Sequence, residues 1–169
     1  NFGWREDYDM VSNFLSLGRH FQENREYERA LAIYRLTMRL SEKLDDVSAK
    51  VLVLDWMSEI YRRLGKYDMA IEYLFRSFDL ESSLAYAANM VEGLADLSSG
   101  TDDPFVRKRT MAVRSHAMAV NRTCKLATIA ALYADLGDQQ QAEGYASEAE
   151  RLFVSLGHRY GEADLLNLR

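Results

Sequence analysis

Apolar side chains recur along this chain at intervals of three and four, the spacing of one face of an α-helix, and the runs are separated by short polar or glycine-containing breaks. Phe14, Leu17 and Phe21 mark a helix over about Asp7 to Glu23, after a lead-in at residues 1–10 with little periodicity. Ala30, Leu31, Tyr34, Met38 and Leu40 mark a second from near Glu26 to Lys43. Asp45-Asp46 makes a turn, a third helix follows to Leu64, and a fourth spans about Tyr67 to Leu80. The centre of the pattern is Tyr61-Arg-Arg-Leu64-Gly65-Lys66-Tyr67-Asp68-Met69-Ala70. Gly65 supplies the permissive backbone that ends one helix, and Asp68 places a negative charge at the start of the next. Helices joined by so short a turn nearly touch, and Ala70 lets the backbones approach beside Tyr61.

The second half is patterned less regularly. The spacing predicts helices over Leu84 to Leu97, Pro104 to about Asn121, Thr123 to Leu136 and Gln139 to Leu156. Ser98-Ser99-Gly100-Thr101 reads as a break, Asp103-Pro104 as an N-cap with a first-turn proline, and Gly157 as the close of the last full helix. Tyr73, Phe75 and Phe78 need a neighbouring unit to cover them. One hairpin cannot bury its apolar face alone, so the pattern calls for copies of itself.

Three copies align on one small residue. They are Phe14, Leu17, Gly18, Phe21, Ala30 and Tyr34; then Leu54, Met57, Ser58, Tyr61, Ala70 and Leu74; then Leu126, Ile129, Ala130, Tyr133, Ala142 and Ala146. The series resembles the tetratricopeptide repeat, in which a bulky residue precedes leucine-glycine, an aromatic, an alanine and a further aromatic. Ser58 and Ala130 replace the glycine, Leu74 and Ala146 replace the second aromatic, and the usual late proline is missing. Ala30 to Ala70 is 40 residues and Ala70 to Ala142 is 72, room for one degenerate copy between. A 40-residue step exceeds the usual ~34 and is similar to the long-repeat members found in adaptors and bacterial signalling regulators. The implied fold is an all-α, right-handed superhelical solenoid of antiparallel hairpins, with repeats at about 7–45, 46–82, 83–120 and 121–157. Residues 158–169 start a further helix.

What the resemblance implies about function is a non-catalytic module that docks a partner peptide or helix in a concave groove. In that family the groove is lined by the second, fifth, ninth and twelfth positions of each first helix. These transfer to Ser12, Leu15, Arg19 and Gln22, to Leu52, Asp55, Glu59 and Arg62, and to Cys124, Ala127, Ala131 and Ala134. The expected partner-binding residues are Arg19, Gln22, Asp55, Glu59 and Arg62, with Ala127 and Ala131 admitting a partner backbone. Alanines at such positions equally serve to keep helices close. The family's clamp for chaperone C-terminal tails uses lysine and asparagine, and Arg19 and Glu59 at the ninth positions argue against it. A peptide-sensing segment of a bacterial signalling or transcription regulator is the alternative.

Composition changes the picture in a few places. The 169 residues carry a formal charge of −5, which disfavours nucleic acid as a partner. Between Ser77 and Asp103 there are six acids and no base, and between Pro104 and Ala134 six bases and no acid. Neighbouring helices neutralising one another would explain this. So would a basic helix at 104–121 that meets an acidic partner segment, with Arg107 and Arg114 selecting it if they face the groove. The single Cys124 excludes an internal disulfide and fits a reducing, cytoplasmic setting. It reads as a small residue on a packed helix, although Arg122 and Lys125 nearby would favour its thiolate. No apolar run approaches the ~20 residues of a membrane span. His20, His116 and His158 are scattered without metal-ligand spacing, and no glycine-rich phosphate loop occurs. Catalysis, cofactors and metals are therefore not expected. The opening Asn1-Phe2-Gly3-Trp4 reads as part of a longer protein, and self-association through the terminal helix is a further expectation.

Overall fold

A computed structural model describes the backbone at residues 3–96 and 104–167 and the side chains at 6–83 and 119–157. Among these residues all regular structure is helical: α1 (Gly3–Glu23), α2 (Tyr27–Lys43), α3 (Val47–Arg63), α4 (Tyr67–Asp96), α5 (Pro104–Leu136) and α6 (Gln139–Asn167). The all-α reading holds. The chain divides into two compact units, residues 1–80 and 81–169.

Turn chemistry sets the helix ends. Arg25, Asp45, Gly65 and Gly137 all take positive φ, at 61°, 53°, 70° and 83°. After each one the next amide turns back onto the finished helix: Glu26 N–H donates to Phe21 O at 2.9 Å, Asp46 to Ser41 at 2.8 Å, Lys66 to Tyr61 at 2.9 Å and Asp138 to Tyr133 at 2.9 Å. This is the Schellman closure, which satisfies carbonyls that a helix end otherwise leaves bare. Two aspartates then start the following helices. Asp46 Oδ1 accepts from Ala49 N at 3.0 Å and Asp138 Oδ1 from Gln141 N at 3.1 Å, each cap being worth ~1 kcal/mol. Asp68 lies in the first turn of α4, where the helix dipole favours its charge.

Helices α2 and α3 match the sequence reading to within a residue. Four departures occur elsewhere. Helix α1 begins at Gly3, because nothing between Trp4 and Tyr8 interrupts a helix and Glu6 suits its first turn. The break expected near 80–84 is missing, and α4 runs through it. The break expected at 121–123 is likewise missing from α5, and α6 continues past Gly157. Neither Leu80-Glu-Ser-Ser-Leu84 nor Asn121-Arg-Thr123 holds a glycine or proline, so nothing there stops a helix. An isolated helical glycine such as Gly157 costs only ~1 kcal/mol relative to alanine. The expected break at Ser98–Thr101 and cap at Asp103 lie outside the described residues, while α5 does begin at Pro104.

In the first unit α1 packs on α2 and α2 on α3. Ala30 and Ala70, the residues on which the copies align, are both fully buried. Around them lie Tyr34, Val53, Leu54, Met57, Ile60 and Tyr61, each nearly sealed from solvent. Burial of such a side chain contributes roughly 1.5–3 kcal/mol. Gly18 is required by a close approach, since a methyl group built on it would overlap the Tyr34 ring. In the next repeat Ser58 holds that register and donates its hydroxyl to Ala70 O at 2.9 Å. A smaller cluster of Val11, Leu44 and Ala49, with Leu15 and Leu40 against it, closes the α2–α3 turn.

The second unit is built on the α5–α6 hairpin. Leu126, Ile129, Leu132 and Ala142 are buried, and Tyr133 stacks on Tyr145 with centroids 5.5 Å apart and planes 2° from parallel. Burial beside Tyr133 raises the Tyr145 pKa. Lys125 Nζ reaches Glu81 Oε2 at 2.8 Å with both side chains about nine-tenths buried. One of the six bases between 104 and 134 is thus spent inside the fold. Arg107, Lys108, Arg109 and Arg114, with His116 and His158, lie outside the described side chains.

Candidate functional site

The first unit presents one charged face from α1 and α3. Arg19 stands on α1 with its guanidinium 5.2 Å from the centroid of the Trp56 ring on α3, while it also pairs with Glu23 at 3.5 Å. Three residues beyond Trp56, Glu59 accepts from Arg62 at 2.8 and 3.0 Å and from Arg63 at 2.7 Å. The hydrogen bond from Arg62 first, and then that from Arg63, hold the Glu59 carboxyl below its ordinary range against the opposing effect of partial burial. Both arginines remain half exposed. The face therefore holds its charges in fixed geometry before any partner arrives.

The remaining expected residues are placed differently. Gln22 is buried and its Oε1 accepts from the Tyr34 hydroxyl at 2.8 Å, so the amide supports the face from beneath. Burial is also the main reason that the Tyr34 pKa is pushed up to about 12. Asp55 is half-buried and accepts from Ser77 Oγ at 2.6 Å, which ties α3 to α4. In the second unit Ala127 and Ala131 are exposed on α5, on a strip that also carries Cys124, Thr128 and Ala134. Cys124 is exposed and not packed as its sequence context suggested, because it lies on the opposite side of α5 from Leu126 and Ile129.

A second feature of the first unit escaped the sequence reading. An open pocket of about 720 Å³ lies among the start of α2, the end of α3 and the start of α4. Its lining includes Arg25, Tyr27, Glu28, Leu31, Arg35, Tyr61, Leu64, Lys66 and Met69. Arg35 donates to the Tyr61 hydroxyl at the long distance of 3.5 Å, and Tyr61 lies 5.2 Å from Tyr73, centroid to centroid. Burial, then Tyr61, raises the Tyr73 pKa. One signal was available: Arg25 stands 40 residues before Gly65, at the same point of its repeat. Trp56 was missed because it falls between the groove positions of the family pattern.

Among the described residues no three His, Cys, Asp or Glu side chains come together as a metal site would need. His20 makes a 3.0 Å contact with Asn24 Nδ2. Among them, too, no helix is long and apolar enough to cross a membrane.

The tetratricopeptide repeat model matches residues 14–48 and 57–82. None of the curated proteins matches the sequence. Among solved structures, the TPR domain of Arabidopsis FLU is similar at a TM-score of 0.60 and 18% identity, covering 88% of this chain and 98% of that one. BtubC (BKLC) from P. vanneervenii is similar at a TM-score of 0.41 and 17% identity, covering 87% of this chain and 64% of that one. The FLU domain shares the fold. The stretches of the family match hold the two repeats in which Ala30 and Ala70 are sealed and Gly18 admits Tyr34. Two successive repeats of the first unit thus match the tetratricopeptide repeat by sequence, and the chain shares the fold of a TPR domain.

Proposed function

We propose that the chain is a non-catalytic docking module of the cytoplasm that binds a partner's extended peptide or helix on the first-helix faces of its repeats. One observation carries the reading. Arg19 is held over Trp56 beside the Glu59–Arg62 ion pair, so charged and aromatic groups from two successive repeats are positioned and still half open to solvent. Side chains already fixed lose little entropy when a partner arrives, and the ordering cost falls mostly on the incoming segment. Asp55 and Gln22 serve by bracing this face through Ser77 and Tyr34. In the second unit, the small exposed Ala127 and Ala131 leave room for a backbone to come close.

The test is affinity capture from source-cell lysate followed by identification of the bound proteins, comparing the natural chain with Arg19→Glu combined with Glu59→Arg. That pair preserves net charge and reverses its arrangement. A partner held by the natural chain and lost by the variant supports docking on this face. Equal capture by both moves the surface elsewhere, to the basic helix at 104–121 or the terminal helix. Empty capture by both favours the peptide-sensing segment of a bacterial regulator.

A further inference from the structure

The pocket between α2, α3 and α4 shares only α3 with the α1–α3 face, and its chemistry is one-sided. Arg25, Arg35 and Lys66 line it against the single carboxylate of Glu28, in a chain whose net charge is −5. Elsewhere on the first unit Arg19, Arg29, Arg62 and Arg63 each lie against a glutamate, and Arg76 lies over the Tyr73 ring. Among the described residues none of the three pocket cations is in an ion pair, and Arg35 reaches only the Tyr61 hydroxyl.

The backbone at Arg25 adds an independent observation. The turns that end α3 and α5 place glycine at the positive-φ position, Gly65 and Gly137, whereas the turn that ends α1 places arginine there at φ 61°. The left-handed conformation crowds a Cβ, and arginine has none of the short polar reach that lets aspartate adapt at Asp45. A side chain kept where glycine would be easier, and lining a pocket, marks that position as one used for contact.

We infer that this pocket is a second docking site, and that it takes an acidic peptide segment in which carboxylates flank an apolar side chain. The floor is apolar, with Leu31 and Tyr61 buried and Leu64 exposed at 43%. The cations do not converge on one point. Arg25 belongs to the first turn, Lys66 to the third, and Arg35 lies eight residues beyond Tyr27, about 12 Å along α2. Spaced charges around an apolar floor match several carboxylates on a chain better than a single phosphate. Guanidinium groups grip carboxylates through paired hydrogen bonds, which makes the arginines the principal anchors. The volume lies within the roughly 300–1,000 Å³ of ordinary ligand pockets.

A short, end-capped synthetic peptide of alternating glutamate and leucine is the probe, titrated into the isotopically labelled chain and followed by backbone amide resonances. Shifts should centre on Arg25, Tyr27, Gly65 and Lys66. Arg25→Gly relieves the turn and keeps the fold, and it should weaken binding about five- to tenfold, as loss of one charge-assisted contact does. Arg35→Gln should do the same, whereas Arg39→Gln, which removes a charge from α2 one turn beyond the pocket lining, should leave affinity nearly unchanged. Four results would overturn the assignment: no binding, shifts centred elsewhere, equal binding of the glutamine-for-glutamate peptide, or equal weakening by Arg39→Gln. Inorganic phosphate that reproduces the same shifts at the same affinity would also overturn it, by reducing the pocket to a simple anion hole.

Discussion

The first and second repeats carry the same signature on differently sheltered helices. In the second, Leu54, Met57 and Tyr61 are between 2% and 3% exposed. In the first, the matching Phe14 and Phe21 are half-buried and Leu17 is 40% exposed. Helix α3 has α2 on one side and α4 on the other, while α1 stands at the open edge of its unit with α2 as its main neighbour. Burial of a repeat signature is thus set by the neighbour as much as by the residue, which is how a repeat array distributes its stability.

The comparison is most directly broken in the core. Met57→Ala should cost ~2–5 kcal/mol, as buried large-to-small changes do, and Leu17→Ala under ~1 kcal/mol. Urea unfolding of the two variants checks this, and equal losses would show that the edge is as well packed as the interior.

Next in size is the helix contact itself. Gly18→Ala should cost ~1–3 kcal/mol, because the added methyl meets a Tyr34 ring that is fully buried and held by Gln22. Joining it with Tyr34→Leu should recover much of that loss. The pair then approaches the second repeat, where Ser58 and Leu74 occupy the same positions, and a double-mutant cycle measures the coupling.

A smaller effect separates the turns. Gly65→Ala should cost ~1 kcal/mol, since φ is 70° there, and Arg25→Gly should be neutral or stabilising by up to ~1 kcal/mol at a matching φ. A lowered thermal midpoint for Gly65→Ala beside an unchanged or raised one for Arg25→Gly would bear this out.

The smallest contrast is in pH dependence. The Tyr34 pKa is raised above its usual 10.0 to about 12, so its contribution is complete below pH 10 and is lost as pH rises toward 12. Tyr34→Leu should flatten the alkaline limb of the stability curve, and phenolate absorbance should show one tyrosine titrating late. The Glu59 pKa is lowered from 4.5, so its contribution is present above that value and fades as pH falls below it. Glu59→Gln should trim the acid limb slightly, because the pairs are exposed.

The hairpins from Phe14 to Ser77 were legible because local chemistry and long-range packing agree there. Each helix end has its own turn residue, and Ala30 and Ala70 announce the close approach. The long helices α4, α5 and α6 were not legible, because their breaks were inferred from the repeat period and no glycine or proline enforces them. Groove positions carried over from the family found Arg19, Glu59 and Arg62 on one face. They could not show that Gln22 turns inward to Tyr34, since that depends on a hydrogen bond between residues 12 apart. The buried pair of Lys125 with Glu81, 44 residues apart, was hidden for the same reason.

The turns at Arg25, Asp45 and Gly65 follow one another at 20-residue steps, and each brings together helices that are consecutive in the chain. A chain whose native contacts are so local has little loop entropy to overcome before it gains from them, and helical folds of this kind assemble in roughly microseconds to milliseconds. Any one of the three hairpins can form first and template the next, so a lesion in one turn should slow assembly without blocking it.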